Sequence, residues 1–296
     1  MTELINTHIT RVSEGLGGDA YLIAGREGTA LIDSGMAFNA ENLIQQIKQV
    51  IGEANLDFIL LSHTHYDHSG GIALLRREWP KLIVLGEAHG KRTLQKQSAI
   101  KAIVDLSALG AEHFGKTMPA FDEKDLRIDE CIKDGDVIDL GNIQIEVIGV
   151  PGHTKCSLAF FLRNESILFA SETTGIIADY GEMTTGFLTS YKDSMESVKK
   201  CRKLQAKFII CPHYGPIPEA DAKNYWDWAV KSMETSKNFV VKFNKDGYDE
   251  AEILKKYVKK FRSERQEAQQ PYEAFEMNAI RAIEVIVKEF CQEKIY

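Results

Sequence analysis

Three histidines and one aspartate lie within six residues, at His63, His65, Asp67 and His68. Neutral imidazole and ionised carboxylate are the ligands that suit zinc, iron and manganese. So many polar groups beside the apolar run 58–61 would be costly without a metal ion. On an extended segment alternate side chains face one way, so we expect His63, His65 and Asp67 to project together, with His68 on the other side. One short loop could then serve two metal ions.

Three further donors each follow a separate apolar run, and a metal site needs four or more donors. They are His153 in a Pro-Gly-His-Thr segment, Glu172 in Ser-Glu-Thr, and His213 in Pro-His-Tyr-Gly. Loops that follow strands commonly carry site residues, so we expect these donors to converge on the histidine cluster. The three preceding runs are residues 143–150, 167–170 and 208–211.

The order of the predicted elements indicates an α+β fold. Short β runs, a helix, more β runs and a helix follow one another, and this order is repeated once. It suggests two similar halves whose sheets pack face to face with helices outside. From residue 221 the pattern is helical only, with apolar stripes at helical spacing. The predicted strands are 20–24, 29–35, 58–61, 82–85, 137–140, 143–150, 158–162, 166–170 and 208–211. The predicted helices before the tail are 39–51, one from after Gly71 to near Pro80, part of 91–118, and 194–204.

Composition limits the partners. The 296-residue chain has a net charge of −7, which argues against broad binding of nucleic acid. Five cysteines without a C-x-x-C pair fit reduced thiols, so we expect a cytoplasmic protein. The N-terminus shows no signal-peptide pattern, and no segment is apolar for the roughly 18 residues that a membrane span needs. We therefore expect a small-molecule substrate and neither nucleic acid nor membrane as partner.

Residues 8–220 resemble the metallo-β-lactamase-fold hydrolases, which share the His-x-His-x-Asp-His loop, a Gly-His-Thr loop, an acidic bridging ligand and a late histidine. This resemblance implies a four-layer αββα sandwich and two divalent metal ions, with zinc favoured over iron or manganese. It implies that one metal is held by His63, His65 and His153, the second by Asp67, His68 and His213, and that Glu172 takes the bridging position.

The chain departs from the family at Glu172, because the bridging residue is usually aspartate. Three alternatives stay open: Glu172 bridges both metals, it binds one metal only, or it is displaced by Asp179 or a water. Asp33 resembles an early aspartate that typically supports the ligand loop, although capping of a turn would also explain it. His8, His89 and His113 lie outside the motifs, so surface or packing roles are expected for them.

Two adjacent divalent cations turn water into hydroxide near neutral pH and polarise the oxygen under attack. Asp67 would orient that nucleophile as well as bind metal. Tyr66 and Tyr214 lie beside ligands and could donate hydrogen bonds to an oxyanion, although packing is the expected role of Tyr66. We therefore assign the catalytic roles to Asp67 and Tyr214.

The predicted domains are a catalytic domain over residues 1–220 and a helical extension over 221–296. The extension resembles the tail of the quinolone-signalling thioesterase branch of the family. It is expected to pack on the catalytic domain or on a second copy of the chain, as a homodimer. A sharper hypothesis is that it caps the metal site and shapes a pocket for an acyl or aryl group, with aromatic candidates Tyr225, Trp226, Trp228, Phe239 and Phe243.

The resulting expectation is a dinuclear-metal hydrolase that acts on an ester, thioester or lactone of a small molecule. The missing signal peptide counts against a periplasmic β-lactamase. Phosphodiester hydrolysis, iron-dependent redox chemistry and a non-catalytic regulatory role stay open. The flavodiiron relatives normally carry glutamate where His65 stands and need a flavin domain, and neither feature is seen in this sequence.

Overall fold

Two β-sheets pack face to face with helices on both outer surfaces. The computed structural model describes residues 2–179, 182–184 and 186–291. This architecture confirms the predicted α+β sandwich and its helical extension. The strands are β1 Glu3–Leu4, β2 Ile9–Arg11, β3 Tyr21–Ala24, β4 Thr29–Ile32, β5 Phe58–Leu60, β6 Ile83–Gly86, β7 Glu130–Cys131, β8 Val137–Asp139, β9 Gln144–Gly149, β10 Leu158–Leu162, β11 Ile167–Phe169, β12 Ile176–Asp179, β13 Glu182–Thr184 and β14 Phe208–Ile210.

The first sheet contains seven strands in sequence order, from β1 to β7. Its pairs are antiparallel as far as β4 and parallel from β4 to β7. The second sheet has the order β14-β11-β10-β9-β8, and β11 and β14 are its parallel pair. Strands β12 and β13 form a separate antiparallel pair. The sequence pattern did not predict the short strands β1, β2, β7, β12 and β13, because runs of two to four residues carry too little periodicity.

The helices fill the outer layers and the C-terminal extension. They are α1 Ala40–Ile51, α2 Tyr66–Ser69, α3 Ile72–Glu78, α4 Ala88–Thr93, α5 Gln97–His113, α6 Tyr191–Arg202, α7 Ala222–Lys245, α8 Glu250–Phe261, α9 Glu264–Gln269 and α10 Tyr272–Ile286, and a π-helical turn, Val287–Cys291, follows.

Apolar side chains form three layers of core. The central layer joins the inner faces of the two sheets, where Tyr21 meets Phe169 edge to face with ring centroids 5.4 Å apart. A second layer packs α1, α3 and α5 on the outer face of the first sheet. A third layer packs the outer face of the second sheet against α6, α7, α8 and α10. Alternation along each strand therefore buries both faces of each sheet, as a four-layer fold requires.

Short polar signals set the helix boundaries in the extension. Asp249 and Glu252 form a capping box at the start of α8, and Ser263 and Gln266 form another at the start of α9. Pro271 immediately precedes α10. Proline has no backbone N–H, and at the start of a helix this group would have no partner within the helix. Helix α9 was not predicted, although the Ser-x-x-Gln spacing is a known signal for a helix N-terminus.

The extension shares its core with the sandwich. Tyr225 and Met233 of α7 are fully buried and belong to the same cluster as Phe161 and Leu168 of the second sheet. The domain boundary at residue 220 and the homodimer stay predictions. Among the described helices, no stretch is both long enough and apolar enough to cross a bilayer.

Replacing Ile283 by alanine tests whether the extension and the sandwich unfold together. Ile283 is 1% exposed, whereas Ile280 on the same helix is 38% exposed. We expect Ile283→Ala to lower the free energy of unfolding by about 2–5 kcal/mol in one urea transition, because it leaves a cavity in the shared core. Ile280→Ala should cost about 1 kcal/mol or less. Two separate transitions, or equal effects of the two variants, would contradict the shared core.

Candidate metal centre

The seven predicted donors lie at one edge of the sandwich. His63 to His68 follow β5 of the first sheet, and the other donors follow strands of the second sheet. Strand β9 is antiparallel to β10, β10 is antiparallel to β11, and β11 is parallel to β14. Strands β9, β11 and β14 therefore run in the same direction, and their C-terminal ends meet at the same edge. His153, Glu172 and His213 stand just beyond those ends.

The donor atoms fall into two groups, within each of which they lie within 4.8 Å of one another. We call them the first cluster, His63, His65 and His153, and the second cluster, Asp67, His68, Glu172 and His213. The structure brings together the two sets of three donors that the family resemblance implied and adds Glu172 to the second set; their binding of metal stays a prediction. The donor set of imidazoles and carboxylates fits a dinuclear site for divalent metals.

One geometric expectation was wrong. Asp67 does not project with His63 and His65; its Oδ2 lies 3.7 Å from Nε2 of His68 and belongs to the second cluster. The reason is that helix α2 begins at Tyr66, so the alternation of an extended strand ends at His65.

Three histidines have their outer ring nitrogen anchored by an acceptor. Nδ1 of His68 donates to Oδ2 of Asp33 at 2.7 Å, and Nδ1 of His153 donates to the carbonyl of Gly186 at 2.5 Å. Nδ1 of His213 donates to the carbonyl of Gly17 at 3.0 Å. Because Nδ1 is held by an acceptor, each Nε2 faces the centre of the site, where it can bind a metal ion once it carries no proton.

His63 is fixed in the same way through Ser62. The Ser62 hydroxyl donates to Oδ2 of Asp33 at 2.7 Å, so it accepts from Nδ1 of His63 at 3.0 Å. Nε2 of His63 is buried and has no hydrogen-bond partner in the described part of the chain. Nδ1 of His65 lies 3.0 Å from Nε2 of His153. Lone pairs that converge in a buried space are costly unless a proton or a cation lies between them, so these residues fit a metal ion.

Burial and neighbouring charges set the ionisation of the donors. Burial and nearby imidazoles lower the pKa of His65 to about 4 and hold the pKa of His63 well below its ordinary value. Burial also acts to lower the pKa of His68, but Asp67 and Asp33 outweigh it and raise that pKa. At neutral pH His63 and His65 are therefore uncharged and ready to bind a cation.

Glu172 lies between the two clusters. Its Oε1 is 2.7 Å from Nε2 of His68 and 3.0 Å from Nε2 of His213, and its Oε2 is 3.2 Å from Nε2 of His153. Burial acts to raise the pKa of Glu172, but His153 and His213 hold it well below its ordinary value. The longer side chain therefore presents one carboxylate oxygen to each cluster, as a bridge would. The side chain of Asp179, the alternative donor, lies outside the described residues.

Asp33 fixes one histidine of each cluster by hydrogen bonds on the side away from the donor atoms. It has a positive φ of 58°, is 2% exposed, and accepts from the backbone N–H of Ser62 at 2.7 Å in addition to the two contacts above. This carboxylate thus fixes His68 directly and His63 through Ser62. Its contacts match the supporting role that the family resemblance implied.

A cavity of about 760 Å³ opens onto both clusters. His65, His153 and Glu172 lie at its base, and helix α5 and the C-terminal helices form its walls. The aromatic residues named from the sequence do not line it. Tyr225 and Trp226 belong instead to the third core layer. The aromatic residues that line the cavity are Tyr66, Tyr214, Tyr257, Phe261 and Phe275.

Two further residues lie at the site: Arg265, which the sequence did not indicate, and His89, for which a surface or packing role was expected. The guanidinium carbon of Arg265 lies 3.7 Å from the ring centroid of Tyr214, which has a positive φ of 68°. Burial raises the pKa of Tyr214, so its hydroxyl stays protonated at neutral pH. His89 lines the cavity although it lies outside the family motifs. No local sequence motif indicates that Arg265 lies near Tyr214, because Arg265 comes from helix α9, far along the chain.

The sequence and the geometry lead to one family. The model of the metallo-beta-lactamase superfamily matches residues 14–213, which is more than half of the chain. The protein therefore belongs to the metallo-beta-lactamase superfamily.

Several relatives illustrate the range of this family. The chain is 24% identical over 244 residues to coenzyme F420H(2) oxidase of Methanothermobacter marburgensis, covering 73% of this chain and 55% of that protein. It is 24% identical over 161 residues to hydroxyacylglutathione hydrolase of Legionella pneumophila, covering 54% and 49%. The chain thus spans about half the length of these relatives. A metallo-beta-lactamase family protein from Thermus thermophilus has the same fold, with a TM-score of 0.65 at 19% identity over 92% of this chain and 88% of that one.

Replacing Glu172 by alanine tests its place between the clusters. We expect protein purified without added metal to hold two metal equivalents, and Glu172→Ala to hold one, because the carboxylate faces both groups of histidines. Glu172→Asp should keep two equivalents. Elemental analysis gives the counts.

The matched control is Glu165→Gln, which changes a carboxylate in the turn before β11 and should keep both metals. Two equivalents in folded Glu172→Ala protein would remove Glu172 from the ligand set.

Proposed function

We propose that the protein is a two-metal hydrolase that cleaves an ester or thioester bond in a small molecule with an apolar arm. The observation that carries this proposal is one cavity that has both donor clusters at its base and apolar helix walls above them. The hydrolases among its relatives, including hydroxyacylglutathione hydrolase, support the same class of reaction. A lactone is a cyclic ester and fits the same chemistry.

The donor clusters account for the reactive part of the site. Two divalent cations, when bound, supply hydroxide near neutral pH and polarise a carbonyl oxygen. Asp67 lines the cavity and belongs to the second cluster, so its carboxylate would orient the nucleophile as well as bind metal. The Tyr214 hydroxyl, which is protonated at neutral pH, is suited to donate a hydrogen bond to the developing oxyanion.

The walls of the cavity account for the apolar arm. Helix α5 contributes Ile103 and Leu106, and helix α10 contributes Phe275, Met277 and Ile280. Met277 is 51% exposed and Ile280 is 38% exposed, although both are large apolar side chains. Exposed apolar groups around a polar centre are typical of a ligand site, and here they would cover an acyl or aryl group.

Hydrolysis of a substrate panel tests the proposal. We expect fully metal-loaded protein to cleave p-nitrophenyl acyl esters and acyl thioesters of N-acetylcysteamine faster than bis-p-nitrophenyl phosphate, because the cavity is apolar. The measurement is kcat/KM for each substrate at equal metal content. Inactivity on all the esters, thioesters and lactones, or faster cleavage of the phosphodiester, would contradict the proposal.

Tyrosine variants complete this experiment. Tyr214→Phe should lower kcat by about 100-fold with little change in KM, as expected for a lost oxyanion donor. Tyr272→Phe is the control, because Tyr272 is 43% exposed at the start of α10 and does not line the cavity.

A second candidate is redox chemistry at iron, which the similarity to an F420H(2) oxidase favours. The metal content of protein purified without added metal, together with oxygen uptake in the presence of a reduced flavin, separates the two. Iron in both sites with oxygen uptake and no ester cleavage would favour the oxidase.

Replacing Met277 by tryptophan tests the apolar wall. The larger side chain should lower kcat/KM for an octanoyl ester about tenfold or more and leave the acetyl ester nearly unchanged, because it fills space that only a long acyl group needs. Glu273→Trp is the control, since Glu273 is exposed on the same helix and does not line the cavity. Equal effects on short and long esters would place the acyl group elsewhere.

A further inference from the structure

The segment between β2 and β3 contacts the second cluster at close range. The carbonyl of Gly17 accepts from Nδ1 of His213 at 3.0 Å. At Gly18 an added Cβ would lie 2.5 Å from the carbonyl oxygen of Asp67 and 2.9 Å from the His68 ring, so only glycine allows this approach. The segment thus touches three of the four residues of the second cluster.

Asp19 ties the same segment to the loop that carries His213. Its backbone N–H donates to the carbonyl of Pro212 at 2.8 Å. His213 is therefore held at its ring by Gly17 and at the preceding peptide by Asp19. These two bonds fix both the position and the rotation of the imidazole.

A buried ion pair holds the segment in place. Arg11 of β2 donates from Nη2 to both carboxylate oxygens of Asp19, at 2.7 and 2.9 Å, and from Nε at 3.0 Å. The Ser13 hydroxyl adds a bond of 2.7 Å. The Asp19 side chain is 0% exposed and that of Arg11 is 19% exposed. Arg11 also packs against Gly215, where a Cβ would lie 3.2 Å from Nη1.

The first cluster depends on other anchors. His63 is held by Ser62, and His153 is held by Gly186 at its ring and by the Thr173 hydroxyl at its backbone N–H, at 3.1 Å. Among the described residues, no hydrogen bond joins these anchors to Arg11 or Asp19. Loss of the ion pair should therefore disturb only one of the two metal sites.

We propose that Asp19, through its ion pair with Arg11, is a positioning residue for the second metal: it holds the segment that orients His213 against Asp67 and His68. The inference rests on the two-metal site and not on the reaction that the site performs. Partners that orient metal ligands commonly change metal affinity by about 10–100-fold. Loss of the ion pair is expected to weaken metal binding by the same factor, and only for the second equivalent of metal.

Metal titration of the full chain tests this proposal. Metal-free protein is titrated with Zn²⁺ by calorimetry and with Co²⁺ by visible absorption, which reports the geometry of each site. In Asp19→Asn the second equivalent should bind about 10–100-fold more weakly, with the first unchanged. Arg11→Lys keeps the charge but loses the two-pronged contact, so it should give a smaller loss at the same site.

The control is Glu146→Gln, which breaks the exposed pair between Glu146 and Arg163 and should change neither affinity. Unchanged binding of the second equivalent in folded Asp19→Asn protein, or equal weakening of both equivalents, would overturn the proposal. If Asp19→Asn does not fold, the same comparison is made with Arg11→Lys. Unchanged binding of the second equivalent, or equal weakening of both, in this variant would then overturn the proposal. A parent protein that binds one equivalent would overturn the two-metal site itself, and this assignment with it.

Discussion

The structure depends on holding five imidazoles correctly turned in a buried space, so that each can offer a ring nitrogen to a metal ion. An imidazole can bind a metal only through a nitrogen that carries no proton, so the other nitrogen must find an acceptor. Asp33, Ser62, Gly186 and Gly17 supply acceptors for four of the five rings. Each acceptor must stand within hydrogen-bond distance of a ring that comes from a distant part of the chain. The sandwich meets this requirement because its strands deliver all the loops to one edge.

The sequence singled out the side chains that the structure brings together, because their signals are local. His63 to His68 and the donors after β9, β11 and β14 each follow an apolar run, and that pattern survives without any knowledge of the fold. The acceptors were harder to predict. Gly17 and Gly186 act through backbone carbonyls, which every residue has, so no residue type marks them. The ion pair of Arg11 and Asp19 joins two ordinary charged residues and likewise carries no motif.

The errors in the tail have a different physical origin. Helical periodicity identifies the apolar face of α7, but it does not tell whether that face meets a core or a cavity. Tyr225 and Trp226 were assigned to the pocket but belong only to the core, whereas Phe275 of α10 belongs to the same core and also lines the cavity. The wrong placement of Asp67 arose in the same way, because a single helical turn at Tyr66 changes which side chains share a face.

The shared core explains how one chain holds the donor clusters and the cavity walls in fixed relation. The donor loops stand on strand ends and are anchored from behind by polar groups, whereas the cavity walls come from α5 and the C-terminal helices. Because α7, α8 and α10 pack on the second sheet through one apolar layer, the wall is held at a set distance from the donors. Side chains on the cavity face of α10 can then change without moving a single ligand. The cavity walls and the donor clusters are therefore separable parts of this fold, joined only through the positions of the strands.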